Sequence, residues 1–242
     1  MTLKAVLFDF NGVIINDEPI HQQLIADILI TENLRPNPPE FQKFCLGRTD
    51  RDCLRDLLTY RGRYVNDNYL KQLIYRKSIA YRQKIENLDK LPIYPALQDL
   101  LIKIRSAQLK IAIVSGAIRE EIEMILNRIG IAEYFSLIVA GDEVSISKPD
   151  PEGYLLAVER LKQQYPELNL QASECLVIED SLAGIEAGKR AGIPVVGVAH
   201  SYPFHILQRR ANWVIDYLSD LDLDRVQEIY MKKSDNQKSP VS

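Results

Sequence analysis

No stretch of this chain approaches the ~20 consecutive apolar residues that span a bilayer, and its start pairs no basic region with a long apolar run. Neither a membrane-crossing segment nor a secretory leader is expected. Cysteine is scarce: Cys45, Cys53 and Cys175 are odd in number and scattered, with neither a disulfide framework nor a CxxC metal site. They are expected as buried or idle thiols in a reducing, cytoplasmic compartment. Of the three histidines, His200 and His205 flank a Ser-Tyr-Pro-Phe run and make a poor metal pair, so a loop role is expected for them. No GxGxxG follows a strand-like run. The segment Gly184 to Lys189 is one residue too short for a P-loop and lies within a helical pattern, so no nucleotide cofactor is expected. Internal repeats are absent. A formal net charge of −3 gives no sign of a nucleic-acid partner.

What the chain has instead is a set of short apolar runs that end on reactive side chains. Ala5-Val6-Leu7-Phe8 reads as a strand buried on both faces, and it stops at Asp9. A carboxylate there would be stranded unless the strand delivers it to a cleft. Gly12, after Asn11, allows a tight reversal. Further strands are expected at 110–114, ending at Ser115-Gly116, at 137–140, at 175–178, ending at Glu179-Asp180, at 194–198 and at 213–215. Helical patterns at 96–107, 120–129, 151–164 and 182–191 alternate with them, which means a parallel sheet with right-handed crossovers. Ligands bind at the carboxyl ends of such strands.

Between the first strand and this alternation the pattern is helical. Residues 17–31 carry one apolar face, with Asn16 placed to cap it. Pro36, Pro38 and Pro39 break the chain, and two or three helices follow to about Asp89, with Gly62 as a break. Lys43 to Lys90 holds twelve Lys/Arg against six Asp/Glu, a net of +6 in a chain of −3. That fits a lid helping to hold an anion, or simply solvated helix faces. The division expected is 1–15 and 92–230 for the α/β core, 16–91 for a helical cap and 231–242 for a polar, disordered tail.

The strand-end residues suit phosphoryl transfer, which needs a nucleophile, charge neutralisation and in-line geometry. Asp9 and Asp180, perhaps with Glu179, are candidate Mg²⁺ ligands. Lys148 is a point cation for a phosphate oxygen. Ser115 and the backbone N–H groups around Gly116 can donate to another. Taken singly, each is an ordinary turn or cap residue; their coincidence at four strand ends carries the reading.

The motifs FDFNGVIINDEPIH, IVSGA, SKPDPEGY and VIEDSLAGIEAG resemble those of the haloacid dehalogenase superfamily, in its branch of β-phosphoglucomutase-like proteins and sugar phosphatases, over residues 3 to about 218. The resemblance implies an α/β fold, a Rossmann-like three-layer parallel-sheet core with an inserted α-helical cap domain. It implies Asp9 as nucleophile, Ser115 and Lys148 on the phosphoryl oxygens, and Asp180 on Mg²⁺. It also implies the backbone carbonyl of Asn11 on that metal, with Glu179 supporting or joining the shell. Gly47-Arg48-Thr49-Asp50 falls where such caps present a loop over the site, making Arg48 and Thr49, with Gly116 and His21, candidate substrate contacts. A small phosphorylated metabolite is the expected partner; the oligomeric state is open.

Asn11 is the departure. Phosphatases and mutases of this family carry there a second Asp, the general acid and base, and an amide cannot exchange a proton near neutral pH. Such catalysis is worth about 10²–10⁴-fold. Four readings follow: a slow phosphatase favouring good leaving groups, a proton supplied by Asp17 or His21, deamidation at Asn11-Gly12, or an engineered substitution. Taken alone, Asp17 reads as a first-turn helix acid and His21 as a surface histidine. The functional expectation is a phosphatase, ahead of a mutase and of an inactive ligand- or partner-binding member.

Overall fold

The computed structural model describes residues 2–238. Its centre is β1 (Ala5–Phe8), flanked by parallel strands on both sides. Val6 and Phe8 pack into one hydrophobic cluster and Ala5 and Leu7 into the other. This period-two split is why the run is apolar without a break.

Four helices follow: α1 (Glu18–Thr31), α2 (Pro38–Phe44), α3 (Asp50–Tyr60) and α4 (Asp67–Glu86). They bury a cluster of their own around Ile25, Leu29, Leu54, Leu57, Leu58, Leu70 and Leu73. Thr49 and Asn66 cap α3 and α4 with their side chains. The cap position of α1 is Asp17 rather than Asn16, and its side chain makes no capping bond.

The alternation then runs α5 (Leu97–Ser106), β2 (Lys110–Val114), α6 (Arg119–Arg128), β3 (Leu137–Val139), α7 (Glu152–Gln164), β4 (Cys175–Glu179), α8 (Leu182–Arg190), β5 (Val195–Val198), α9 (Phe204–Leu207), β6 (Trp213–Ile215) and α10 (Leu223–Lys238). The six strands are parallel, in the order β3-β2-β1-β4-β5-β6. Residues of α5, α6 and α10 cover one face and residues of α7, α8 and α9 the other, giving the expected three layers. The strand order reverses at β1, so the crevice at the carboxyl ends of β1 and β4 is the place for a ligand. Phe8 pairs with Ile113 and Ile178, which sets Asp9 level with Val114 and Glu179.

Two expectations are corrected. Cys45 and Cys53 form a disulfide, and only Cys175 is a free, buried thiol among the described residues. The turn between α2 and α3 doubles the chain back and brings the two cysteines together, so thiol content no longer supports a reducing compartment. The expected disorder from residue 231 is replaced by α10, which runs through Lys238; residues 239–242 lie outside the described residues. Among the described residues no helix is long and apolar enough to cross a membrane.

Candidate active site

Asp9 leaves β1 with its N–H bonded to Ile178 O at 3.0 Å, and the residue is 3% exposed. Gly12 makes the turn behind it at φ +79°; a Cβ there would stand 2.0 Å from Asp180 Oδ2. His200, expected as a plain loop residue, fixes this turn. Its Nδ1 donates to Gly12 O at 2.7 Å and its ring stacks on Tyr94. Burial holds its pKa below the usual histidine value.

Lys148 lies among carboxyls. Its Nζ is 2.9 Å from Asp9 Oδ1 and 2.6 Å from Glu179 Oε1, and it donates to Val114 O at 3.0 Å. Burial alone would lower the ammonium's pKa, but the charges of Asp9 and Glu179 outweigh it and raise it. Glu179 is fully committed. Oε1 also accepts from Tyr154, and Oε2 accepts from the N–H groups of Asp180 and Ser181 and from the Ser181 hydroxyl. Gly184, part of the near-P-loop run, is required because a Cβ there would sit 1.6 Å from Glu179 Oε1. Glu179 therefore holds Lys148 and the turn after β4.

Asp9, Glu179 and Asp180 each offer an oxygen within 4.8 Å of the others. Asp180 accepts a bond from Ser201. Burial, then the charge of Glu179, pushes both Asp9 and Asp180 well above the usual carboxylate range. Three buried carboxyls against one lysine leave negative charge uncompensated, and an oxygen donor set of this kind fits a hard divalent cation.

Asn11 faces the other way. Its Nδ2 donates to Asp17 Oδ1 at 3.1 Å and Oδ2 at 2.9 Å, and lies 3.2 Å from His21 Nε2. Ser115 Oγ donates to Asn11 Oδ1 at 3.4 Å and accepts from Ala117 N at 3.0 Å. The Gly12 N–H is bonded to Ile15 O, which opposes its attack on the Asn11 amide. Asp17 is no exposed first-turn acid. It is wholly buried and accepts from Asn11, His21 and the Tyr81 hydroxyl. Burial would raise its pKa; the His21 charge and these bonds override that and lower it. Nor is His21 a surface histidine. Its ring stacks on Tyr81, and its Nδ1 is 2.8 Å from Lys77 Nζ. Burial and Lys77 press its pKa down, while Asp17 wins and raises it. Lys77, one of several basic residues with nothing to mark it in the sequence, is 2% exposed and paired with Asp50 at 2.7 Å.

Asp9, Asn11, His21, Gly116 and Arg48 line one narrow cavity of about 40 Å³, well below the size of an open small-molecule site. Ser115, Gly116, Thr49 and Lys148 line an adjoining recess. Arg48 is largely spoken for: its Nη2 bonds Asp56 and its Nη1 bonds Phe44 O. The Thr49 hydroxyl accepts from Asp52 N. The loop they occupy closes tightly on the core. A Cβ at Gly116 would meet Arg48 O at 2.7 Å, and one at Gly47 would meet Ser181 Oγ at 2.2 Å. The helices thus close over the carboxyl ends of β1, β2 and β4. Several of the basic residues that suggested an anion-holding lid are engaged in pairs of their own, such as Arg55–Asp67 and Arg61–Glu40. The sequence also gave no sign of Glu121 or Tyr81, whose neighbours here lie far off along the chain.

Residues 6–198 match the haloacid dehalogenase-like hydrolase family. The chain is 29% identical over 201 residues to a phosphorylated carbohydrates phosphatase of Thermotoga maritima, covering 82% of this chain and 87% of that one. It is 29% identical over 230 residues to the β-phosphoglucomutase of Bacillus subtilis, covering 93% and 95%. In fold it is similar to the crystal structure of a β-phosphoglucomutase from Clostridium difficile, with a TM-score of 0.82, 24% identity and coverage of 96% and 99%.

Proposed function

The chain belongs to the haloacid dehalogenase-like hydrolase family, and from that premise we propose that it is a Mg²⁺-dependent phosphatase of a small phosphorylated metabolite, a sugar phosphate first among them. The observation that carries this is the convergence of Asp9, Lys148, Glu179 and Asp180 at the ends of β1 and β4, beside Ser115 and the cavity under α1–α4. The relative from Thermotoga maritima supports the substrate class.

Asp9 is the nucleophile. Its Oδ forms a bond to phosphorus as the bond to the leaving oxygen breaks, giving an acyl phosphate. Water then attacks phosphorus, the Asp9 oxygen leaves, and inorganic phosphate is released. Lys148 and the hydroxyl of Ser115 hold phosphoryl oxygens. The side chains of Asp9 and Asp180 and the carbonyl of Asn11 would hold the metal, which neutralises charge on the transferred group. Helices α1–α4 act as the cap that excludes water.

The leaving alkoxide needs a proton, and Asn11 has none to give. His21, beside Asn11 and polarised by Asp17, is the ionisable group placed to supply one. Turnover is therefore slow and favours good leaving groups. A phosphomutase is the second reading, carried by the identity to the Bacillus subtilis mutase. It ranks lower because a mutase must both protonate and deprotonate sugar hydroxyls.

The test is hydrolysis of an aryl phosphate with and without Mg²⁺, by this chain and by Asp9→Asn. A slow, chelator-sensitive rate that vanishes in the variant is expected. A rate that survives Asp9→Asn removes the nucleophile assignment, and no rate at all in this chain leaves a binding protein.

A further inference from the structure

The loop that leaves β5 touches both halves of the carboxyl cluster. Ser201 donates to Asp180, at the end of β4. Its neighbour His200 donates from Nδ1 to Gly12 O at 2.7 Å, in the turn after β1. A carbonyl oxygen only accepts, so Nδ1 carries the ring hydrogen in this contact. The two halves abut here: a Cβ on Gly12 would stand 2.0 Å from Asp180 Oδ2, the oxygen that Ser201 bonds. The loop itself is anchored, with Ala199 N on Ile215 O of β6 at 2.9 Å and His200 N on Val198 O at 2.8 Å.

Gly12 is thereby held on both sides. Its N–H donates to Ile15 O at 2.8 Å, which orients the peptide plane that also carries the Asn11 carbonyl. His200 holds the next plane through Gly12 O. Glycine is free to leave this conformation, so the set of the turn depends on such outside bonds. The imidazole has a second contact. It stacks on the Tyr94 ring, with centroids 3.7 Å apart and planes 3° from parallel. Tyr94 lies on the linker that returns from α4. That linker pairs antiparallel with the outgoing one, with Asn16 N on Pro92 O at 2.8 Å and Tyr94 N on Ile14 O at 3.1 Å. One side chain thus rests its face on the cap linker and its edge on the turn beside Asp180.

We propose that His200 is a positioning residue for the divalent-cation site: its Nδ1–H, seated by the Tyr94 ring, holds the Gly12 turn so that the Asn11 carbonyl and Asp180 serve one ion. This rests on the Mg²⁺ part of the reading above and adds to it a residue that acts through another. Bonds behind the ligands fix their orientation before the ion arrives, and losing one typically costs about 10–100-fold in metal affinity.

Mn²⁺, a paramagnetic stand-in for Mg²⁺, tests this when titrated into the protein without substrate, the free ion being read by electron paramagnetic resonance. His200→Ala should weaken binding at least about tenfold, and His200→Asn, whose amide can donate from nearly the place of Nδ1, should recover most of that loss. Tyr94→Leu should weaken binding less than His200→Ala does, and Tyr94→Phe, which keeps the ring face, should leave it unchanged. Metal-free urea melts verify that each variant folds. A merely structural histidine would lower those midpoints and leave the Mn²⁺ affinity of the folded protein as it was. Unchanged affinity in His200→Ala overturns the proposal. So does an Asn variant no better than the Ala one, a Tyr94→Leu protein that binds as Tyr94→Phe does, or no Mn²⁺ binding by the unaltered chain. If the affinities follow the expected order while no phosphate ester is hydrolysed, the phosphatase reading fails and the positioning role stands. If an aryl phosphate is hydrolysed with Mg²⁺ while His200→Ala binds Mn²⁺ as the unaltered chain does, the reverse is true.

Discussion

Asn11→Asp is the sharpest perturbation of this site, because the structure sets both its gain and its cost. The amide Nδ2 now donates to both oxygens of Asp17, at 3.1 and 2.9 Å. A carboxylate in its place would face another carboxylate at about 3 Å, a repulsion of about 5 kcal/mol at an effective dielectric of ~20. Two carboxyls so placed share one proton. A residue-11 carboxyl that keeps its proton beside the leaving oxygen is a general acid, worth about 10²–10⁴-fold for an alkyl phosphate. An aryl phosphate, whose leaving group departs without a proton, should gain little. The variant also loses a buried hydrogen bond, so its urea midpoint should fall, and adding Asp17→Asn should restore it. The assay is a pair of initial rates, alkyl and aryl, at saturating Mg²⁺. Equal gains on both substrates, or no alkyl gain in a folded variant, would refute the reasoning.

Gly116→Ala puts a Cβ 2.7 Å from the Arg48 carbonyl oxygen. It should push the loop before α3 off the core, costing about 1–3 kcal/mol of stability and raising KM; melts and steady-state kinetics measure the two effects. Reducing the Cys45–Cys53 bridge, or replacing both cysteines with serine, opens a short loop and should cost about 2–3 kcal/mol. An unfolding midpoint indifferent to dithiothreitol would mean that the bridge is absent in solution. Glu121, facing Lys77, Asp50 and His21, has its pKa raised by burial from 4.5 to about 7. Between those values the folded state holds a proton that the unfolded state has lost. Stability is therefore fully present below the lower value and is lost as pH rises to the upper, by up to about 1.4 kcal/mol per pH unit. Urea midpoints from pH 5 to 8 should show this, with a flatter profile for Glu121→Gln.

Asp9, Ser115 and Asp180 could be located in the sequence because each is a polar residue close to where an apolar strand stops, whereas Lys148 lies in the loop between β3 and α7. The strands themselves could be read for the same reason, and β1 to β6 fall within a residue or so of expectation. The opposite face of the cavity could not. Lys77 meets His21 across 56 residues and Tyr81 meets Asp17 across 64, and only the packing of α1 against α4 brings them together. Asp17 and His21 were visible but looked like surface residues, since one turn of helix does not reveal which face is buried. Thr49 three residues before Asp52 is a helix-start signature, which accounts for its hydroxyl more simply than a ligand does. The end of α10 looked like coil because its residues are polar, although lysine and glutamine are good helix formers.

The meeting of Gly47 with Ser181, and of Gly116 with Arg48, leaves no room for even a methyl group between the two halves of the molecule. A solute of metabolite size cannot slip through a joint that tight; entry by that route requires the halves to part and meet again on every cycle. Measured turnover will therefore combine two clocks, one for bond breaking and one for breathing. Solvent viscosity slows only the second, which makes a glycerol series the simplest way to tell which of them governs.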